Sequence, residues 1–230
     1  MAANDSRQPD ESRQRTGTPW WHVALGALFV IAVTTGISYV LSEDPAERGE
    51  VTNIGDTRSD DFNRPRDDRG LGTGPIGTWT SERGVWSLQL GTAFISFPDK
   101  DRSLAVVDAS AKAVRVAATV WGDEVCGIVA RYERPDQYVA LIRVAEFGVW
   151  NVVEVDAGDE VVLGKVPDLD TDGVGVSLSV DDDLVQAEVG LQRISVRYSV
   201  RSQGTSIGLV GQADTATSCS WDDVTVQTMK

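Results

Sequence analysis

Histidine is almost absent from this chain, and its absence removes several classes of catalytic site. The only histidine is His22, at the edge of an apolar segment. The rest of the chain therefore has no imidazole to act as a general base, which excludes Ser-His-Asp and Cys-His catalysis there. Zinc sites that depend on histidine ligands are excluded for the same reason.

Cysteine and basic residues are also scarce. The 230 residues include two cysteines, Cys126 and Cys219, and no CxxC spacing that would indicate a redox or iron–sulfur motif. Lysine and arginine number 21 against 35 acidic residues, which gives a formal net charge of −14. Nucleic-acid binding needs clustered positive charge, so no nucleic-acid partner is expected.

One long apolar run stands out against this polar background. Residues 20–41 (WWHVALGALFVIAVTTGISYVL) contain no Asp, Glu, Lys or Arg, and aromatic residues lie near both ends, where the membrane interfaces favour them. At about 1.5 Å per residue, a helix of this length crosses the roughly 30 Å hydrocarbon core. A buried core helix and a cleaved signal peptide are the alternatives. The sequence predicts an uncleaved transmembrane anchor.

The segments around the anchor predict its orientation. Residues 1–19 are predicted to be a disordered arm, and residues 42–58 a flexible charged linker. The arginines of the arm favour the cytoplasm under the positive-inside rule, by a narrow margin. We therefore expect a single-pass plasma-membrane protein with a cytoplasmic N-terminus and an extracellular domain formed by residues 59–230.

The region after the linker alternates apolar and polar side chains with a period of two, which is typical of strands. Clear cases are residues 113–120 (AVRVAATV), 137–144 (QYVALIRV) and 193–200 (RISVRYSV), with Asp, Gly and Pro recurring between strands. No span in this region has convincing helical periodicity. The pattern predicts an all-β fold, a two-sheet antiparallel sandwich.

Several phrases of this region resemble one family. They are DDFNR (60–64), TWTSERGVW (78–86), CGIVARY (126–132), QYVALIRV (137–144) and WDDVTV (221–226). Over roughly residues 60–230 they resemble the concanavalin A-like, laminin-G-like jelly-roll domains of bacterial exported proteins. The resemblance implies neighbouring first and last strands, with Phe62 and Trp221 as core anchors. The same fold carries lectins, adhesion modules, carbohydrate-binding modules and glycosidases, so it implies no single function.

The resemblance also bears on the two cysteines. It places Cys126 on a strand and Cys219 just before the last strand, close enough to bond in an oxidising exterior. Two buried free thiols are the alternative.

A ligand site on a concave sheet is a further implication of the resemblance. Arg131 and Tyr138 fall in the family's R-y…Y phrase. Arg131 is expected to point into the groove, because burying an arginine without a partner is costly. Tyr138 or Trp150 would stack on a sugar ring, unless both are core residues.

Glycosidases of this fold carry alternating carboxylates on one strand, as E-x-D-x-E or E-x-D-x-x-E. Glu154 and Asp156 match the first two positions, but position 158 is Gly and Asp159 lies past a turn signal. We therefore assign no catalytic residue, and the pattern does not favour an enzyme.

The run PDLDTDG at residues 167–173 opens like an EF-hand calcium loop. Asp168, Asp170 and Asp172 alternate, but Ser179 occupies the position where that loop needs Glu. An EF-hand is therefore excluded. The three carboxylates remain candidate ligands of a structural calcium ion, and a plain acidic turn is the alternative.

These patterns together predict a membrane-anchored extracellular binding module that recognises a glycan, a cell-wall component or a surface protein. A glycosidase-type enzyme of the same fold and a purely structural ectodomain are the alternatives. Solvent-exposed Tyr138 or Trp150 would favour ligand binding, and full burial of both would favour a scaffold.

Overall fold

The computed structural model describes residues 54–65, 70–122, 124–168, 173–212 and 218–229. These residues belong to one unit, Val51–Lys230. The predicted arm, the predicted transmembrane helix at residues 20–41 and most of the predicted linker lie outside the described residues. Within the described ranges, no helix is long and apolar enough to cross a membrane.

The described chain is built almost entirely of strands. They are β1 (Ile54–Asp60), β2 (Thr80–Arg83), β3 (Val85–Gln89), β4 (Thr92–Phe97), β5 (Ser103–Asp108), β6 (Val114–Gly122), β7 (Val125–Arg134), β8 (Gln137–Val144), β9 (Val149–Asp156), β10 (Asp159–Pro167), β11 (Val174–Asp181), β12 (Leu184–Val189), β13 (Gln192–Arg197), β14 (Ser206–Gln212) and β15 (Cys219–Met229). A single 3-10 turn, Ala145–Phe147, joins β8 to β9. The strands predicted from alternation correspond to β6, β8 and β13.

The strands form two antiparallel sheets. One sheet has the order β13-β12-β11-β6-β15-β4-β3, with β1 also paired to β15, and the other has the order β10-β9-β8-β7-β14-β5-β2. Along β6, the buried residues Val114, Val116 and Val120 alternate with more exposed ones, because one face packs on the core. The predicted two-sheet antiparallel sandwich is confirmed.

The core between the sheets contains three large, fully buried tryptophans. Trp86 and Trp221 pack with their ring centroids 5.0 Å apart, and Trp150 is also 0% exposed. The Trp221 indole N–H donates a hydrogen bond of 2.9 Å to the Gly127 carbonyl of the opposite sheet. Trp221 is therefore the core anchor that was expected, and it also satisfies its polar atom across the sandwich.

The folded domain begins earlier than the sequence predicts. Strand β1 starts at Ile54, inside the segment assigned to the linker at residues 42–58. Its polar sequence, IGDTRSD, is typical of a tether, but backbone pairing with β15 holds it, with Arg58 opposite Val226 and Asp60 opposite Val224. The first and last strands are therefore neighbours, as expected.

The DDFNR phrase has a structural explanation. The fully buried Asp60 carboxylate accepts hydrogen bonds from the Phe62 amide at 3.0 Å, the Arg64 guanidinium at 2.6 Å and the Trp79 indole at 2.9 Å. Phe62 is 0% exposed and packs against Trp79. The phrase therefore fixes the entry of the chain into the domain, and Phe62 is a core residue.

The predicted disulfide is confirmed. Cys126 on β7 and Cys219 at the start of β15 are bonded, with their Cα atoms 5.8 Å apart. The bond joins the two sheets and links positions 93 residues apart in sequence.

Candidate functional site

Arg131 lies where β7 is irregular. Its φ angle is 49°, in the left-handed region that side chains rarely adopt. The pairing register shifts around it, between Ala130 and Arg134 on the β8 side and between Ser206 and Gly208 on the β14 side. The resemblance implied that the Arg131 side chain points into the groove of a concave sheet. In the structure the irregularity turns it toward one end of the sandwich, where it contacts Lys112 and Asp182.

The Arg131 guanidinium is held by the backbone of the opposite sheet's turns. Its Nε–H donates to the Lys112 carbonyl at 2.9 Å, and its Nη1 donates to the Asp182 carbonyl at 3.5 Å. The Ser202 hydroxyl donates to the Arg131 carbonyl and so holds the backbone. In the part of the chain that the structure describes, hydrogen bonds engage two of the five guanidinium N–H groups.

The guanidinium faces a cleft of about 360 Å³ at this end of the sandwich. The residues that line it are Lys112, Ala113, Arg131, Asp182, Asp183, Ser199, Val200 and Gln203. Donor and acceptor side chains share the lining, and the Lys112 ammonium donates to the Gln203 amide oxygen at 3.3 Å. Among the described lining residues there is no aromatic ring.

Charges around the cleft nearly balance. Burial lowers the pKa of Arg131, and the negative charges of Asp182 and Asp181 act in the opposite direction. Asp183 lies 3.6 Å from the Arg197 guanidinium, and both of these side chains are exposed. Because carboxylates stand beside the buried cation, the cleft suits a neutral ligand that both donates and accepts hydrogen bonds better than an anion.

Glu154 and Asp156 hold one wall of this cleft. The Glu154 carboxylate is 1% exposed and accepts a hydrogen bond of 2.6 Å from the Arg201 amide, and Asp156 pairs with the Arg201 guanidinium at 2.7 Å. A hydrogen bond between Tyr198 and Glu154 raises the pKa of Tyr198. Glu154 and Asp156, the two carboxylates that match the glycosidase motif, therefore hold residues 198–201 in position. Nothing in the sequence indicated this role.

Tyr138 and Trp150 do not meet at the cleft, and neither presents a ring to solvent. Trp150 is 0% exposed between the sheets. Tyr138 is 2% exposed and lies on the outer face of the seven-stranded sheet that runs from β10 to β2. There its ring stacks on that of Tyr132, with the ring centroids 6.3 Å apart. Both rings are used in packing, which fits the alternative that Tyr138 and Trp150 are core residues.

The acidic run at residues 167–173 is described only at its edges. Asp168 is 4% exposed at its side chain, pairs with the Arg143 guanidinium at 2.6 Å and accepts from the Trp150 indole at 3.3 Å. Asp170 and Asp172 lie outside the described residues. Within those that are described, no group of three His, Cys, Asp or Glu could hold a metal ion. Structural calcium stays a prediction, and Asp168 is already engaged by an arginine.

No protein-family model matches the sequence, and no curated protein matches it. Among solved structures, the chain is similar to a carbohydrate binding module, CBM66, from Bacillus subtilis (TM-score 0.50, 13% identity, covering 66% of this chain and 92% of that one). It is similar to a β-glucanase of Bacillus licheniformis (TM-score 0.52, 8% identity, covering 76% and 99%). It is also similar to a GH43 protein of Bacillus licheniformis (TM-score 0.55, 17% identity). That match covers 75% of this chain but only 39% of the GH43 protein. At these identities the similarities show the fold alone, which is a two-sheet antiparallel jelly-roll sandwich.

Proposed function

We propose that the protein is a membrane-anchored extracellular binding module whose cleft at Arg131 binds a neutral glycan. The single observation that carries the proposal is the buried Arg131 guanidinium, which is fixed by two backbone carbonyls and faces a cleft with N–H donors to spare. Burying a cation is costly unless its hydrogen-bonding groups are used, so a ligand that accepts from the guanidinium would complete the site.

The chemistry of the cleft favours sugar hydroxyls. Each hydroxyl is both a donor and an acceptor, and the cleft offers the guanidinium and Lys112 as donors beside Asp182 and Gln203 as acceptors. An acidic sugar would be repelled by the aspartates of the cleft and by the negative net charge of the chain, which is −14. A neutral glycan is therefore the better fit.

The similar structures supply two candidate activities, binding and hydrolysis. A carbohydrate binding module and a β-glucanase both share this fold. The position of Glu154 supports binding, because a carboxylate that accepts from the Arg201 amide and from Tyr198 is used to hold the cleft wall. A scaffold without a ligand is the second candidate, favoured by the burial of Tyr138 and Trp150.

Removing the guanidinium is expected to abolish most of the binding. The full chain in detergent would be screened on an array of neutral and acidic glycans, and the selected glycan titrated by calorimetry. Hydrogen bonds to charged groups contribute about 1.5–3 kcal/mol, so Arg131→Met should weaken binding at least about tenfold. Arg83→Met, which removes a partly exposed arginine elsewhere, serves as the matched control and should leave affinity unchanged. Equal affinity of the Arg131→Met protein, with an unchanged melting temperature, would exclude the cleft.

The membrane anchor has a test of its own. Protease added to intact cells should digest residues 51–230, because we place this unit outside the cell, tethered through the apolar segment at residues 20–41. Protease added to inverted vesicles should leave the unit intact. The opposite pattern would reverse the orientation, and release of the whole chain by carbonate washing would contradict the anchor.

A further inference from the structure

A second cleft lies on the outward face of the larger sheet. It has a volume of about 230 Å³ and is lined by Arg115 and Ala117 of β6 and by Thr225 and Gln227 of β15. These residues are direct cross-strand pairs, Arg115 with Gln227 and Ala117 with Thr225. Ala117 has the smallest side chain of the four, so it leaves the depression between the longer ones.

The polar groups beside this cleft are held in place before any ligand arrives. Arg115 donates to the Glu188 carboxylate at 2.7 Å and to the Ser177 hydroxyl at 3.2 Å, and Arg193 also donates to Glu188. Burial opposes the ionisation of Glu188, but the hydrogen bond from Arg193 and the charge of Arg115 outweigh it, so the pKa of Glu188 is lowered. The Arg115 side chain remains 40% exposed, so part of its guanidinium group is open to solvent.

The two clefts lie along one strand. Ala113, Arg115 and Ala117 alternate with the buried Val114 and Val116, so all three face outward. Ala113 lines the Arg131 cleft, and Ala117 lines the second one. At about 3.3 Å per residue, the two alanines are roughly 13 Å apart.

The surface between the clefts is polar as well. On the β11 side, Ser179 is paired with Arg115 but is largely buried, and the exposed Asp181 follows it toward the Arg131 cleft. On the other side, Gln227 is paired with both Arg115 and Thr57 of β1. A hydroxyl-rich chain that runs along β6 would therefore find donors and acceptors over its whole length.

We infer that the two clefts are subsites of one track, which binds a linear neutral oligosaccharide along β6 with one end in the Arg131 cleft. The inference rests on the proposed function and deepens it, because it requires a chain of sugars and not a single terminal residue. Arg115, Thr225 and Gln227 would contact the distal part of the chain, and Ala117 would allow it to approach the sheet.

The length of the ligand provides the test. Cello-oligosaccharides and xylo-oligosaccharides from disaccharide to hexasaccharide would be titrated into the full chain in detergent, and affinity should rise about tenfold or more with length. Ala117→Leu fills the second cleft and should reduce hexasaccharide binding to the disaccharide level, with disaccharide binding unchanged. Ser195→Leu, at an exposed position of the edge strand β13 in the same sheet, is the matched control and should change neither.

A second variant tests the track without adding bulk. Gln227→Ala removes one amide and should weaken hexasaccharide binding by about threefold to tenfold, the usual effect of one hydrogen bond, and leave disaccharide binding unchanged. If the disaccharide and hexasaccharide bind equally, or if Ala117→Leu acts no differently from Ser195→Leu, the track is wrong and the Arg131 cleft stands alone. If neither series binds the unmodified protein while the array selects another neutral glycan, the track is wrong and the proposed function stands. If the array also selects no neutral glycan, both fail.

Discussion

Replacing Cys126 and Cys219 together by serine is expected to lower the free energy of unfolding by roughly 4–5 kcal/mol. The two residues are 93 positions apart, so the bond removes much of the conformational freedom of the unfolded chain. Both cysteines are also fully buried in the core, where two hydroxyls would each need a new hydrogen-bond partner. The expected loss is a large part of the stability of an ordinary domain.

Thermal unfolding of the full chain measures this loss. The double variant should melt roughly 8–20 °C below the unmodified protein, since each kcal/mol shifts the midpoint by about 2–4 °C in a domain of this size. Reducing agent should lower the melting temperature of the unmodified protein similarly and have no effect on the variant. A shift of less than about 3 °C in both comparisons would show that the bond contributes little.

Arg143→Ala is expected to destabilise the domain by roughly 3–5 kcal/mol, because it leaves the Asp168 carboxylate buried without its cation. Both side chains of the pair are less than a tenth exposed, and Arg143 also donates to the Gly122 carbonyl. The pair fixes the start of the acidic run next to the Trp150 indole. Removing one partner therefore costs much more than the pair contributes by itself.

Two comparisons separate this effect from the loss of any arginine. Arg134→Ala breaks an exposed pair with Asp136 and should change stability by no more than about 1 kcal/mol. The combined change of Arg143→Met with Asp168→Leu removes both charges and should recover most of the loss seen in Arg143→Ala. If Arg143→Ala and Arg134→Ala have equal effects in denaturant titrations, the buried pair does not stabilise the fold.

Strands with clear alternation could be predicted from the sequence, and β1 could not. Residues 113–120 alternate because one side of the strand packs on the core, and the structure confirms them as β6. Residues 137–144 are confirmed as β8, although both faces of that strand are buried. Strand β1 is held by backbone pairing to β15 and carries mostly polar side chains, so its sequence looks like a linker. Alternation reports one-sided burial, and a strand without it is missed.

The candidate site was predictable only in part. Arg131 stood out because an arginine between apolar residues needs partners, but its direction depends on a backbone irregularity that no sequence pattern marks. Tyr138 lies on the face of β8 opposite to the core, yet it is covered there as well. Alternation shows which residues share a face of a strand. It does not show whether something packs on that face.

Residues brought together from distant parts of the sequence were the hardest to anticipate. Glu154 supports the cleft wall through the amide of Arg201, and Lys112 supplies the carbonyl that orients Arg131. Each of these contacts joins segments that are neighbours only after both sheets have formed. The second cleft at Ala117 is similar, since it depends on the register between β6 and β15.

The most direct test of the central claim is calorimetric titration of the array-selected neutral glycan into the unmodified chain and into the Arg131→Met chain. The protein should bind the neutral glycan measurably, and the variant should bind it at least about tenfold more weakly while melting as a folded domain. Binding of equal strength by both proteins, or no neutral glycan selected at all, would contradict the assignment of the Arg131 cleft as a glycan site.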